Sequence, residues 1–179
     1  MCPKSKQPPD LNLRGERVIL IPVSADHVKE LRRILHTPEV HARWSDEDAS
    51  AQWPFDDLSS TRFSILMNGS VCGMVQYSEE EEPAYKHASI DIFLDPAVHG
   101  QHIGRDSVQT LARYLVRERG HHRLVIDPAA DNQSAIRCYT AVGFRPIGVL
   151  RRYERDIDGK GWHDGLLMDL LAEELDQPS

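Results

Sequence analysis

Residues 127–144 read DPAADNQSAIRCYTAVGF. Asn132 is suited to cap a helix. Ala135, Ile136, Tyr139 and Val142 then recur on one helical side, and Gly143 is a stop. Residues 122–127, just before, read as a short buried strand around Leu124, Val125 and Ile126. After the helix come two longer strands, 144–155 and 162–171, around the turn Asp158-Gly159-Lys160. A second informative stretch lies upstream, where residues 94–108 read LDPAVHGQHIGRDSV. A strand over 87–95 alternates Ile90, Ile92 and Leu94 with Ser89, Asp91 and Phe93, and a Gly- and His-rich turn follows. A helix over 104–119 then shows Val108, Leu111, Ala112 and Leu115 at helical spacing. Strand, helix and strand in this order form one crossover, so the strands of Asp91 and Asp127 are expected parallel.

Further out, Asn68-Gly69 between two β-rich runs, 61–67 and 71–77, signals a hairpin. The acids Glu79 to Glu82 read as a solvated loop. Residues 16–23 are a strand, Ser24 caps a helix over 25–35, and Pro38 opens a short second helix. Residues 43–60 are irregular. Residues 1–14 are polar and read as a mobile tail, leaving one domain over 15–179. The order β-α-α-β-β-β-α-β-α-β-β implies an α/β (α+β) fold. Its mixed central sheet has about seven strands, with helices on both faces.

Composition excludes several classes. The chain has 179 residues, with 28 Asp and Glu against 21 Lys and Arg, a net charge of −7. A nucleic-acid module usually shows a basic excess. No apolar run approaches the ~20 residues that cross a bilayer. The first ten residues lack the apolar region of a secretory signal, so a cytoplasmic location is expected. Cys2, Cys72 and Cys138 follow no metal or disulfide pattern, and the nine histidines form no zinc motif. No metal is expected.

The helix start near Ile103-Gly104 carries the chemistry. Unpaired amides and a positive dipole end suit a phosphate there, although a plain glycine turn has the same pattern. Asp91 sits in an apolar strand, where an unpaired carboxylate is costly, so it should face a cleft or a partner. Tyr139 by pattern alone reads as a core residue, and Trp44 as packing or a cleft wall.

Asn132, Ala135, Tyr139, Gly143 and Phe144 match the Asn-x-x-Ala-x-x-x-Tyr and Gly-Phe pattern of the GCN5-related N-acetyltransferase (GNAT) superfamily, which the chain resembles over residues 13–171. The pyrophosphate turn of that superfamily, Gln/Arg-x-x-Gly-x-Gly/Ala, falls on His99, His102 and Gly104, and only the last glycine is kept. Within the superfamily, residues 127–144 and the pair Ile90-Asp91 look most like aminoglycoside 6′-N-acetyltransferases.

The resemblance implies acetyl-CoA as co-substrate and a cationic small-molecule amine as acceptor, with a homodimer as the family-level expectation. It places the cofactor on the turn and helix start, at His99, Gly100, Gln101, His102, Ile103, Gly104, Arg105 and Asp106. A strand amide at Phe93 or Leu94, and Asn132 and Ala135 on the later helix, complete that side. Tyr139 is the implied acid for the leaving thiolate, and Asp91 a base or relay for the amine. Asp91, Asp127 and Trp44, in the loop 44–57, are the implied acceptor contacts. Acetylation of a protein N-terminus or a polyamine is the alternative. An acyl-CoA-binding module without turnover is the rival of another class.

Overall fold

The computed structural model describes residues 11–44, 50–157 and 159–176. Cys2, most of the expected tail, residues 45–49 of the loop and Asp158 of the last turn lie outside them. One sheet of eight strands runs in the order β1-β2-β3-β4-β5-β6-β8-β7. The strands are β1 (Leu13–Arg14), β2 (Ile19–Pro22), β3 (Ser60–Met67), β4 (Ser70–Glu80), β5 (His87–Leu94), β6 (Arg123–Ile126), β7 (Arg145–Arg155) and β8 (Trp162–Leu171). The helices are α1 (Ala25–Leu35), α2 (Pro38–His41), α3 (Ile103–Arg117) and α4 (Gln133–Val142). All pairings are antiparallel except β5 with β6, the expected parallel crossover.

The eighth strand is β1, which the sequence reading leaves in the tail. Leu13 and Arg14 pair with Leu20 and Ile19. Two residues are too few to show a period, and what holds them is distant in sequence. The carboxylate of Asp106 on α3 accepts the amides of Glu16, Arg17 and Val18 at 3.0, 2.7 and 3.0 Å.

The hairpin between β3 and β4 turns on Asn68 and Gly69 at φ 52° and 81°, the left-handed region that this residue pair tolerates. β4 runs on to Glu80, further than the acidic run suggests, because Ser78, Glu79 and Glu80 pair with Ser89, Ala88 and His87. Glu79 is not solvated. Its side chain is 6% exposed and meets His121 Nε2 at 2.7 Å and Arg119 at 2.9 Å. An arginine and a histidine 40 and 42 residues away help make that burial tolerable.

Strand alternation sends side chains to two cores. Val75, Tyr77 and Ile90 pack with Val108, Leu111 and Leu115 of α3. Met74 and Phe93 face the other way, onto Leu31, Ile34 and Leu35 of α1. Helices therefore cover both sheet faces, as expected. Among the described residues no helix is long and apolar enough to cross a membrane.

Candidate active site

β5 and β6 pair at only two positions, Ala88 with Leu124 and Ser89 with Val125. Beyond Ser89 the two strands part, and β5 continues alone on that side to Leu94. The amide of Asp95 donates to Cys72 O of β4 at 2.9 Å. Alternate amides of a strand point to opposite edges. The amides of Ile92 and Leu94 are therefore turned into the gap, and that of Phe93 toward β4. Of the two candidates for the strand donor, Leu94 is the one so aimed. The ring of Phe93 is buried and lies edge-on to Trp44, with centroids 5.0 Å apart.

A cavity of about 620 Å³ occupies one side of the gap. His99, Gly100, His102, Ile103, Gly104 and Arg105 line it from the turn and the start of α3. Gly100 has φ 75°, and His102 adopts φ 63° and ψ 10°. His102 thus keeps a left-handed turn without glycine, at a steric cost of roughly 1–2 kcal/mol. The first bond of α3 runs from the Asp106 amide to His102 O at 3.0 Å, so the amides of residues 103–105 have no carbonyl one turn back. A phosphate fits such a cradle. Arg17 Nη1 fixes the turn by donating to Gln101 O at 2.7 Å. Gly104 serves close packing, since a Cβ there would lie 3.2 Å from Leu94 Cδ1.

Two residues expected on the cofactor side do not line this cavity. Gln101 turns its side-chain amide back to Ala97 O at 3.1 Å. Asp106 spends its carboxylate on residues 16–18. Asn132 and Ala135 do line it, and Asn132 Oδ1 caps α4 by accepting the Ala135 amide at 3.2 Å. Ser134, Arg137 and Cys138 line it as well, at positions that the family motif does not single out. Arg137 supplies a second cation besides Arg105, and its spacing of three residues from Ser134 on α4 is the signal that marks it. Burial pushes the Cys138 thiol up to about 11, so it is protonated near neutrality.

A second cavity, of about 460 Å³, opens on the α1 side. Asp91, Asp127, Glu154, Gln76 and Tyr153 line it, with the serines 78 and 89 of β4 and β5. The Asp127 carboxylate beside the Tyr153 hydroxyl, ahead of burial, pushes the phenol up to about 12. Arg43 reaches Asp131 at 2.6 Å and holds that carboxyl below its usual range.

The two cavities share Arg43, Trp44, Ile92, Asn132, Ala135 and Tyr139. Tyr139 thus stands where they meet, 7% exposed. Burial raises its pKa well above that of a free phenol, and the nearby Cys138, Asp91 and Asp127 add to the shift. Its phenol is therefore protonated near neutrality. Tyr139, Asp91, Asp127 and Trp44 all line the second cavity. The structure adds Gln76, Tyr153 and Glu154, which the sequence reading did not single out. Among the described residues no group of three His, Cys, Asp or Glu is placed to hold a metal.

A gap between two parallel strands, a helix start at one end and a buried tyrosine at the junction frame the candidate site. Residues 27–144 match the profile of the acetyltransferase (GNAT) family. The chain belongs to this family and is an acyl-CoA-dependent N-acetyltransferase that uses acetyl-CoA. No curated protein sequence matches it significantly. Solved structures share the fold. RimJ of Mycobacterium smegmatis, in complex with CoA-disulfide, superposes with a TM-score of 0.80 at 22% identity, covering 94% of this chain and 90% of that one. A spermidine N-acetyltransferase from Vibrio cholerae, in complex with CoA and spermine, gives 0.74 at 16% identity, covering 88% and 97%. A ribosomal-protein-S5-alanine acetyltransferase from Vibrio fischeri gives 0.75 at 14% identity, covering 94% and 100%.

Proposed function

We propose that the chain acetylates a primary amine of a polycationic small molecule, with the 6′-amine of an aminoglycoside as the leading acceptor. The observation that carries this reading is the convergence of Asp91, Asp127 and Glu154 on one cavity that meets the cofactor cavity at Tyr139. Carboxylates there hold the ammonium groups of the acceptor. Asp91, on the strand beside the gap, takes the proton that the reacting ammonium must lose, directly or through a water. The Leu94 amide receives the oxyanion, and Tyr139 returns a proton to the leaving thiolate. Arg105, Arg137 and the amides of residues 103–105 hold the cofactor phosphates. The structural likeness to a spermidine N-acetyltransferase and to a ribosomal-protein-S5-alanine acetyltransferase supports a second reading, in which a polyamine or a protein N-terminus is the acceptor.

A thiol-release assay with acetyl-CoA against aminoglycosides, polyamines and short peptides, with mass spectrometry of the product, separates the readings. Preference for peptides would replace the small-molecule reading.

Two expected results follow from the same geometry. Acetyl-CoA should raise the melting temperature, because it binds the folded turn and not the unfolded chain. At a hundredfold excess over Kd the gain is about 2.7 kcal/mol. For a chain of this size that is roughly 5–10 °C. No shift near millimolar cofactor would count against the cofactor cavity.

Asp127→Asn should raise KM about tenfold for an aminoglycoside and far less for a monoamine, since one charge-assisted bond contributes roughly 1.5–3 kcal/mol. The difference should shrink in high salt. Equal losses for both acceptors would mean that Asp127 only organises the end of its strand.

A further inference from the structure

Three polar side chains stand side by side across three central strands. Arg62 on β3 is opposite Gln76 on β4, and Gln76 is opposite Asp91 on β5. Directly opposed residues point to the same face of a sheet. Here it is the face of the acceptor cavity, which both Gln76 and Asp91 line. Arg62 and Gln76 are 7% and 8% exposed, in strands otherwise filled with apolar residues. Burial of an arginine and an amide inside a sheet is costly unless each polar atom is used.

Here they are used. Arg62 Nη1 donates to Pro54 O at 3.0 Å and to Asp57 O at 2.8 Å, and Nη2 to Asp57 Oδ2 at 2.9 Å. The remaining Nε donates to Gln76 Oε1 at 2.9 Å. A guanidinium only donates, so the Gln76 oxygen must face Arg62. The amide has no second oxygen, and its NH₂ is therefore turned the other way, to Asp91 Oδ2 at 3.5 Å. A flipped amide would set NH₂ against guanidinium and oxygen against carboxylate. Arg62 thus dictates which end of Gln76 the carboxylate meets.

We propose that Gln76, oriented by Arg62, is a positioning residue for Asp91, and that it fixes the rotamer in which this carboxylate accepts the proton of the acceptor amine. The inference rests on the role given to Asp91 above. It adds a link outside the reacting atoms. The fork of Arg62 also clamps the loop at Pro54 and Asp57, so this loop and the carboxylate share one anchor.

Gln76→Glu tests the link with little change of shape. Its carboxylate still accepts from Arg62, but it offers Asp91 an oxygen instead of a donor. Turnover and KM are measured with acetyl-CoA and the fastest acceptor of the amine panel, for the wild type, Gln76→Glu, Asp91→Asn and the double variant. A positioning role predicts about a tenfold fall in kcat for Gln76→Glu, with KM for acetyl-CoA unchanged. It also predicts no further fall when the change is made in Asp91→Asn, because residues acting as one unit are not additive. Multiplied losses in the double variant, or wild-type kcat in Gln76→Glu, overturn the inference while leaving Asp91 in its role. Wild-type kcat in Asp91→Asn overturns that role and the inference with it. Should Gln76→Glu fail to fold, Gln76→Met enters the same cycle and is read in the same way.

Discussion

Tyr139→Phe is expected to lower kcat by about 10²–10⁴-fold, the range that general acid catalysis supplies. The affinity for acetyl-CoA should remain within a few-fold. The two effects separate because the ring and the hydroxyl have different tasks. The ring packs in the core between α4 and the sheet, edge-on to Phe144 with centroids 6.4 Å apart. Phenylalanine keeps that contact. The residue lines both cavities, and in the proposed reaction its hydroxyl serves the leaving thiolate. Burial raises the pKa of the phenol, with Cys138, Asp91 and Asp127 adding to it, so Tyr139 is protonated at every pH of interest. The enzyme should therefore show no alkaline loss of activity from this group near neutrality. Single-turnover rates with rapid mixing isolate the chemical step. An unchanged single-turnover rate would remove Tyr139 from the reaction and leave it a core residue.

Much of this site is legible in the sequence where the signal is local. The cap Asn132, the apolar side of α4 and the stop at Gly143 all lie within twelve residues, and together they place Tyr139. The crossover from β5 to β6 follows from strand, helix and strand in order, and that topology alone brings Asp91 near Asp127. Asp91 also betrays itself as a charge in an apolar strand.

What the sequence hides is held by partners far along the chain. Gln76 reads as one more residue of an apolar run until Arg62 and Asp91 are seen on either side of it. Glu79 reads as solvated until His121 and Arg119 fold onto it. Gln101 falls inside the pyrophosphate turn by alignment, yet in the structure only its backbone shapes that turn. A motif assigns positions, and the direction of each side chain is decided by tertiary contacts that a motif does not contain.

Asp106 gives the sharpest test of that distinction. By position it belongs to the cofactor turn, and in space it is the hub of the N-terminal strands. Its buried carboxylate accepts three successive amides, from Glu16, Arg17 and Val18. Those amides form the bend between β1 and β2, where no sheet partner serves them. Asp106→Ala leaves the Val18 amide buried without an acceptor and frees the other two toward water. One charge-assisted bond contributes roughly 1.5–3 kcal/mol, and the three act together, so a loss of about 3 kcal/mol is expected. That corresponds to a fall in melting temperature of roughly 6–12 °C. Asp106→Asn should be destabilised by a similar amount, because its NH₂ group meets amide donors where a carboxylate oxygen was. If the loss came from charge at the start of α3 alone, Asn would cost far less, about 0.3–1 kcal/mol. The rise in melting temperature with acetyl-CoA should persist in both variants, since the Asp106 side chain points away from the cofactor cavity. Loss of that rise in a folded Asp106→Asn would instead put the carboxylate among the cofactor contacts and count against the assignment to the N-terminal bend.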